Sequence, residues 1–163
     1  MRDPATSQCL FAQAFHQSAD ATAAQYRRAA DRTDSSLPFS VNFVNEAGID
    51  AGGVSRDALT EIVTDLHGPD FNLFLLCPNG VSKINSNMDK YLPNPSCVSP
   101  LSIQMFEFVG KLMGVSLRAK ATLPFSFPSL VWKVDLVLSV FQPPLPLSVY
   151  SILACLNAEI YSF

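Results

Sequence analysis

The fold is decided by the stretch VNFVNEAGIDAGGVSRDALTEI, residues 41–62. Alternating apolar residues at its start predict a strand. Apolar residues towards its end and beyond recur at the spacing of an amphipathic helix that ends at Gly68. Three glycines lie between the two elements, namely Gly48, Gly52 and Gly53. The stretch therefore predicts a strand, a glycine-rich turn and a helix, in that order.

The glycine turn lacks the spacing of a nucleotide-binding loop. A dinucleotide loop needs G-x-G-x-x-G between strand and helix, whereas the order here is G-x-x-x-G-G. A phosphate loop of the G-x-x-x-x-G-K-[ST] type needs a lysine where Val54 stands. We therefore expect a structural turn, in which the glycines have positive φ and the Asp50 carboxylate accepts backbone hydrogen bonds. Arg56 and Asp57 are expected in the first turn of the helix. The negative charge of Asp57 suits the positive end of the helix macrodipole, and the positive charge of Arg56 does not.

Hydropathy patterns on either side of this stretch predict the remaining elements. Residues 7–31 read as a helix, and FNLFLL at 71–76 reads as a short strand. Residues 77–100 form a long connection rich in Asn, Ser and Pro. A cap at Ser99 and a first-turn proline then open a largely apolar helix that extends to residue 120. The chain is thus predicted to be α+β and mainly helical, with a few short strands.

The composition is that of a globular protein with one sizeable core. Of its 163 residues, 48% are hydrophobic and 15% are charged. The formal net charge is −3, and no block of basic residues extends beyond Arg27 and Arg28. This pattern argues against a nucleic-acid partner, because such proteins carry a basic patch.

The cysteines and the amino terminus indicate a reducing compartment. The start of the chain has Asp3 and Pro4 where a signal peptide carries positive charge. Four cysteines and two histidines fall at spacings that make no zinc pattern. We therefore expect free thiols, no metal, no cofactor, and a location in the cytoplasm or the nucleus. The four cysteines are Cys9, Cys77, Cys97 and Cys155.

Several motifs in a fixed order resemble the opening of the HECT domain of ubiquitin ligases. That family has a strand ending in F-V-x-E, then G-x-D-x-G-G-x-x-x-[DE] and a helix, as the stretch 41–62 does. The later segments FNLF, NMDKYLPNPSCVSP and MFEFVGKLMGVSLRAKATLPFSFPSLVWK are similar to successive parts of the family's N-lobe. The motif residues at the turn are Glu46, Gly48, Asp50, Gly52, Gly53, Arg56 and Asp57.

The resemblance implies a domain organisation with three parts. A truncated HECT N-lobe is expected over residues 37–133. A helical lead-in over residues 1–36 precedes it and is similar to that of the giant HECT ligases. A divergent, apolar tail containing prolines follows over residues 134–163.

The resemblance also implies ubiquitin transfer by nucleophilic catalysis. A complete family member takes ubiquitin from a conjugating enzyme as a thioester on a C-lobe cysteine and passes it to a substrate lysine. The family places that cysteine in a T-C-F-like context, whereas the cysteines here read QCL, LCP, SCV and ACL. The segments that dock the conjugating enzyme follow the point where the resemblance ends. We expect no catalytic and no docking residue in this chain, and a chain that is inactive alone. The alternative is a non-catalytic protein-interaction module built on the N-lobe scaffold.

After Lys133 the sequence turns apolar, and three prolines between residues 143 and 146 interrupt it. The length of the apolar stretch permits a membrane span, but the prolines argue against one. We expect an appended tail that only partly covers a helix face around Phe108, Leu112 and Val115. That face is expected to lack the later helices of the family.

Three single residues have simple structural interpretations. His67, near the end of a helix, is expected to be a cation at the helix C-terminus or a plain surface histidine. Cys77 is expected to be a small buried hydrophobe, with a reactive thiol as the alternative. Trp132 is expected to belong to the core, with an exposed aromatic cluster at a truncated edge as the alternative.

Overall fold

In the computed structural model, the residues that the structure describes are 9–18, 21–22, 26, 53–68, 70–119 and 122–132. They form the helices and strands α1 (Leu10–Ser18), α2 (Gly53–Leu66), β1 (Phe74–Leu76), α3 (Pro78–Ser82), β2 (Tyr91–Pro93) and α4 (Pro100–Ala119). A helical turn at residues 129–132 follows. The described chain is therefore mainly helical with a small sheet, as the sequence predicts.

The individual predictions of secondary structure have different outcomes. The helices α2 and α4 and the strand β1 lie where hydropathy placed them. The connection at 77–100 is more structured than predicted, because it contains α3 and β2. The predicted strand at 39–44 and the tail after Lys133 lie outside the described residues.

The sheet is an antiparallel pair, in which Leu75 of β1 lies opposite Leu92 of β2. The extended segment at 122–128 runs beside β2, because the Tyr91 amide donates a hydrogen bond of 2.8 Å to the Ser126 carbonyl. The strand β2 therefore lies between β1 and this segment.

The core is formed where α2, β1 and α4 meet. Seven apolar side chains of α4 are buried, and they are distributed along the helix. This burial explains why the sequence of α4 is apolar nearly all round. Full burial of one such side chain stabilises the fold by about 1.5–3 kcal/mol. The largest fully buried side chains are Phe11, Phe71, Phe106, Leu59, Leu66, Leu73, Met105, Leu112, Val63 and Val109.

The helix α1 covers part of α4 with two aromatic rings. The ring centroid of Phe108 is 5.6 Å from that of Phe11 and 5.8 Å from that of Phe15. Leu112 and Val115, on the same face, are fully buried. The expectation that part of this face is uncovered is therefore wrong at these three residues, and α1 is the element that covers Phe108.

Polar contacts at both ends of α1 supplement this packing. At its start, the Phe11 amide donates a hydrogen bond of 3.1 Å to Oδ2 of Asp65 on α2. Beyond its end, the Lys111 Nζ on α4 donates one of 3.2 Å to the Ala21 carbonyl. A carboxylate at the helix start and an ammonium group beyond the helix end both suit the macrodipole. The helix α1 is thus held in one orientation against the core.

Candidate functional site

The start of α2 contains the part of the glycine motif that the structure describes. Gly53 is the first residue of the helix, its φ is outside the left-handed region, and a Cβ added there would meet no atom within 4 Å. The expectation of positive φ is therefore wrong at Gly53, because this residue has already entered the helix.

The two charged motif residues lie on the exposed side of α2. Arg56 and Asp57 are both exposed, and the first turn contains no acidic residue, so Asp57 lies beyond it. The expected pairing of Asp57 with the helix N-terminus is therefore wrong. The remaining motif residues, Glu46, Gly48, Asp50 and Gly52, lie outside the described residues, so the turn itself stays a prediction.

Two of the candidate nucleophiles are buried thiols. Burial raises the pKa of Cys77, and the charge of Asp89 raises it further. Burial also raises the pKa of Cys97, although a hydrogen bond with Ser102 opposes the change. A cysteine attacks as its thiolate, so a raised pKa and burial both reduce nucleophilicity near neutral pH. The interpretation of Cys77 as a small buried hydrophobe is confirmed.

Of the other two cysteines, the structure describes Cys9 but not Cys155. Cys9 is half-buried just before α1, and its sulfur accepts a hydrogen bond of 3.4 Å from the Ala12 amide. Cys155 lies outside the described residues. Cys77 and Cys97 are free thiols.

A buried asparagine fixes the turn after β2. The Asn94 amide donates to the Leu73 carbonyl, and its side-chain nitrogen donates to the Asn72 carbonyl, both at 2.8 Å. Its side-chain oxygen accepts a hydrogen bond of 3.0 Å from the Ser96 amide. Asn72 itself has a left-handed φ of 53°. The Asn94 side chain therefore joins the turn after β2 to the residues that precede β1. The sequence N-P-S is typical of a turn, and it is the feature from which this role could have been predicted.

The connection between the strands, which we call the β1–β2 loop (residues 77–90), is closed by its own hydrogen bonds. The Cys77 amide donates to the Lys90 carbonyl at 2.8 Å, and the Asn79 side chain donates to the Ser86 carbonyl at 2.9 Å. Gly80 packs so closely that an added Cβ would lie 2.3 Å from the Met88 carbonyl oxygen. These contacts give the loop a defined conformation.

The β1–β2 loop presents apolar side chains to solvent. Val81 is 71% exposed, Ile84 is 56% exposed and Met88 is 49% exposed. Apolar side chains gathered on an ordered surface loop are a common feature of interaction sites. The loop is therefore the part of the described surface best suited to contact another protein.

His67, directly after α2, lies in an aromatic cluster. Its ring centroid is 4.4 Å from that of Tyr91, 6.1 Å from that of Phe127 and 6.3 Å from that of Phe74. Burial lowers the pKa of His67, and a hydrogen bond with the backbone of Val63 only partly opposes this. The interpretation as a surface or cationic histidine is therefore wrong, because the imidazole packs between aromatic rings and is neutral at pH 7.

Trp132 lies at the edge of the same cluster, 5.8 Å from Phe127 between ring centroids. It is 47% exposed, and Leu130 is 46% exposed, whereas Val131 between them is buried. The expectation that Trp132 belongs to the core is wrong, because it lies on the outer side of the turn at 129–132.

The described residues contain neither a cluster suited to a metal ion nor a helix suited to a membrane. Among those residues, no group of three or more His, Cys, Asp or Glu side chains is arranged to hold a metal ion. Within the same part of the chain, no helix is long and apolar enough to span a bilayer.

Comparison with known proteins defines the class. Residues 60–141, about half of the 163-residue chain, match the sequence profile described as HECT-domain (ubiquitin-transferase). This match places the chain in the class of proteins that carry HECT-domain sequence, and the mainly helical fold is consistent with it. The chain belongs to the HECT-domain family. Ligases of this family work with ubiquitin and ubiquitin-conjugating enzymes.

Individual relatives are large ubiquitin ligases. The E3 ubiquitin-protein ligase HERC2 of Mus musculus is 34% identical over 95 residues, which are 58% of this chain and 2% of the relative. The Probable E3 ubiquitin-protein ligase HECTD4 of Homo sapiens is 30% identical over 130 residues, 79% of this chain and 3% of the relative. The Ubiquitin-protein ligase E3B of Homo sapiens is 39% identical over 72 residues, 44% of this chain and 6% of the relative. The chain thus spans a small part of each relative's length. No solved structure matches it.

Proposed function

We propose that this chain forms part of the N-lobe of a HECT-type E3 ubiquitin-protein ligase, and that none of its own cysteines accepts ubiquitin. The observation that carries the proposal is the family match at residues 60–141, which includes the second half of α2, the sheet and α4. The N-lobe is the scaffold that precedes the catalytic cysteine in the resemblance described above. In a complete family member, the partners of this scaffold are ubiquitin and its conjugating enzyme.

The state of the thiols supports the second half of the proposal. A transthiolation step forms a bond between the acceptor sulfur and the ubiquitin carbonyl, and it releases the thiolate of the conjugating enzyme. The acceptor must therefore be an accessible thiolate. Cys77 and Cys97 are buried with raised pKa values, which disfavours that form.

A thioester assay tests the lack of an acceptor. The chain is incubated with ubiquitin, activating enzyme, ATP and a panel of conjugating enzymes, and a catalytically complete HECT domain of a relative is the positive control. We expect no adduct of the chain that is sensitive to reducing agent. An adduct that disappears when any one of the four cysteines is replaced by serine would contradict the proposal.

A chimera tests the assignment to the N-lobe. Residues 60–132 replace the matched segment in the HECT domain of a relative such as HERC2. We expect the folded chimera to retain thioester formation, because the replaced segment is scaffold. A chimera that folds with native-like stability and transfers no ubiquitin would count against this assignment.

A non-catalytic interaction module built on the same scaffold is the second candidate function. The exposed Val81, Ile84 and Met88 on the ordered β1–β2 loop favour it. If it holds, an excess of the chain inhibits ubiquitin transfer by a related ligase by competing for its partners. Serine at all three positions is expected to relieve the inhibition. Leu117→Ser is the matched control, because Leu117 on α4 is 69% exposed and outside the loop.

The location we propose is the cytoplasm or the nucleus. The free thiols of Cys77 and Cys97 support it, because oxidising compartments favour disulfides. Imaging of a fluorescently tagged chain tests this proposal, and accumulation in the secretory pathway would contradict it.

A further inference from the structure

His67 joins three parts of the fold that are distant in sequence. Its backbone follows the last residue of α2, and its ring lies against Phe74 of β1 and Tyr91 of β2. On its other side it contacts Phe127 in the segment 122–128. The imidazole is therefore a shared packing surface for the helix, the sheet and this segment.

The two ring nitrogens of His67 have different environments. Nε2 is buried and has no hydrogen-bond partner among the described residues. A hydrogen bond with the Val63 backbone favours the protonated form, but its effect on the pKa is smaller than that of burial. A buried ring nitrogen without a partner fits a neutral imidazole in which that nitrogen carries no proton. Protonation would add a charged N–H at Nε2, where aromatic side chains surround it.

The titratable groups on the packed elements provide no carboxylate partner for that proton. On α2, Asp65 accepts the Phe11 amide. Before β2, Lys90 pairs with Asp89 at 2.9 Å. The segment 122–128, TLPFSFP, contains no titratable side chain. The remaining titratable groups on or next to these elements are Arg56, Asp57, Glu61, Asp70, Cys77 and Tyr91.

Two electrostatic effects oppose each other when the imidazole is protonated. The faces of the Tyr91 and Phe127 rings attract a cation. Burial of a charged donor without an acceptor has the opposite effect, because a buried polar group that loses water needs a replacement partner. The pKa of His67 is lowered, and burial is the main cause.

We propose that His67 is an acid-sensitive switch: the neutral imidazole holds the segment 122–128 and the sheet against the end of α2, and protonation releases them. The inference concerns the conformation of the described fold and is independent of the proposed function.

The direction of the pH dependence follows from the lowered pKa of His67. The unfolded chain binds the proton more readily than the folded chain does, so stability rises with pH between the two pKa values. The contribution is complete above the ordinary histidine value of about 6.5. It is lost as the pH falls from that value towards the folded pKa, and it changes no further below it.

Hydrogen exchange tests the switch at a single reporter. The Tyr91 amide, bonded to the Ser126 carbonyl, reports whether the segment 122–128 stays in place. Protection factors are measured in the full chain from about pH 7.5 to about pH 5, across the histidine range. We expect protection of this amide to fall by roughly tenfold for each unit by which the pKa is lowered.

Variants separate His67 from other titrating groups. His67→Phe keeps an aromatic ring without a titrating nitrogen, and we expect it to lose the pH dependence. His16→Gln is the matched control, because His16 is the exposed member of the chain's two histidines, and it should behave as the wild type does. Equal loss of protection in His67→Phe and in the wild type, or no loss in either, would overturn the proposal.

A direct titration keeps the test decisive if His67→Phe does not fold. The imidazole resonances of the wild-type chain are followed by NMR, and His16→Gln assigns them. We expect the pKa of His67 to lie below the ordinary value of about 6.5. A value at or above it would equally overturn the proposal.

Discussion

The backbone amide of Phe11 donates a hydrogen bond to Oδ2 of Asp65 at 3.1 Å, across 54 positions of sequence. This bond joins α1 to α2 at the point where the Phe11 ring enters the core. The matched HECT range begins at residue 60, well after α1, yet α1 packs against residues within that range. We therefore expect α1 to be required for the stability of the matched region.

Replacing Phe11 by alanine tests this requirement. The ring is fully buried and lies 5.0 Å from Phe71 between centroids. Its removal is expected to lower the free energy of unfolding by about 3–5 kcal/mol, through lost burial and the cavity that remains. Denaturant unfolding provides the measurement, with Gln17→Ala on the exposed face of α1 as control. A loss below about 1 kcal/mol would show that α1 is not part of the cooperative unit.

Two glycine substitutions are expected to have opposite effects. Gly80→Ala would place its Cβ 2.3 Å from the Met88 carbonyl oxygen and 2.7 Å from Cγ of Leu76. Since the carbonyl belongs to the backbone, relief requires movement of the β1–β2 loop, at a cost of about 1–3 kcal/mol. Gly53→Ala meets open space and is expected to be neutral or to stabilise α2 by up to about 1 kcal/mol.

Thermal unfolding of the two alanine variants side by side measures this difference. A Gly53→Ala variant as unstable as Gly80→Ala would mean that the start of α2 is tightly packed or strained. The corresponding substitution at Gly52 stays a test of the predicted turn, since Gly52 is outside the described residues.

Asn94→Ala is expected to destabilise the turn after β2. The change removes the side-chain N–H that donates to the Asn72 carbonyl. It also removes the side-chain oxygen that accepts from the Ser96 amide. The loss is expected to cost about 1–3 kcal/mol, because the Ser96 amide is left unsatisfied, whereas the Asn72 carbonyl still accepts from the Cys97 thiol. Asn94→Asp keeps the acceptor alone, so an intermediate loss is expected in chemical unfolding. Equal stability of all three proteins would exclude this role for Asn94.

The buried thiols are expected to react slowly with iodoacetamide. Since the pKa values of Cys77 and Cys97 are raised, the thiolate fraction stays low near neutral pH. The alkylation rate at both sites should therefore keep rising with pH beyond the ordinary thiol pKa of about 8.5, where the rate of an unperturbed thiol levels off. Mass spectrometry after timed labelling measures each site, with urea-unfolded chain as the fully reactive control. Rapid labelling of Cys77 in the folded chain at pH 7 would contradict both its burial and its assigned structural role.

Hydropathy was sufficient to predict the longer elements but not the short ones. The helices α2 and α4 each carry an apolar stripe over several turns, so their periodicity is unambiguous. The helix α3 has five residues and β2 has three, one of them Pro93, which is too few to establish a period. Their positions are fixed instead by contacts such as those of Asn94.

The misassigned residues depend on neighbours that are remote in sequence. His67 is followed by Gly68, so its local sequence indicates an exposed helix end. Its actual environment comes from Tyr91 and Phe127, which only the folded chain brings to it. Local sequence likewise gave no reason to place the Phe11 ring on Phe108.

The hydrogen bond from the Tyr91 amide to the Ser126 carbonyl also protects an edge of the sheet. A strand edge with free backbone donors invites pairing with another chain and so promotes aggregation. Here the segment 122–128 occupies that side of β2. Release of the segment by acid would therefore leave an unpaired strand edge next to exposed Leu130 and Trp132, where a second copy of the chain can add by β-strand pairing.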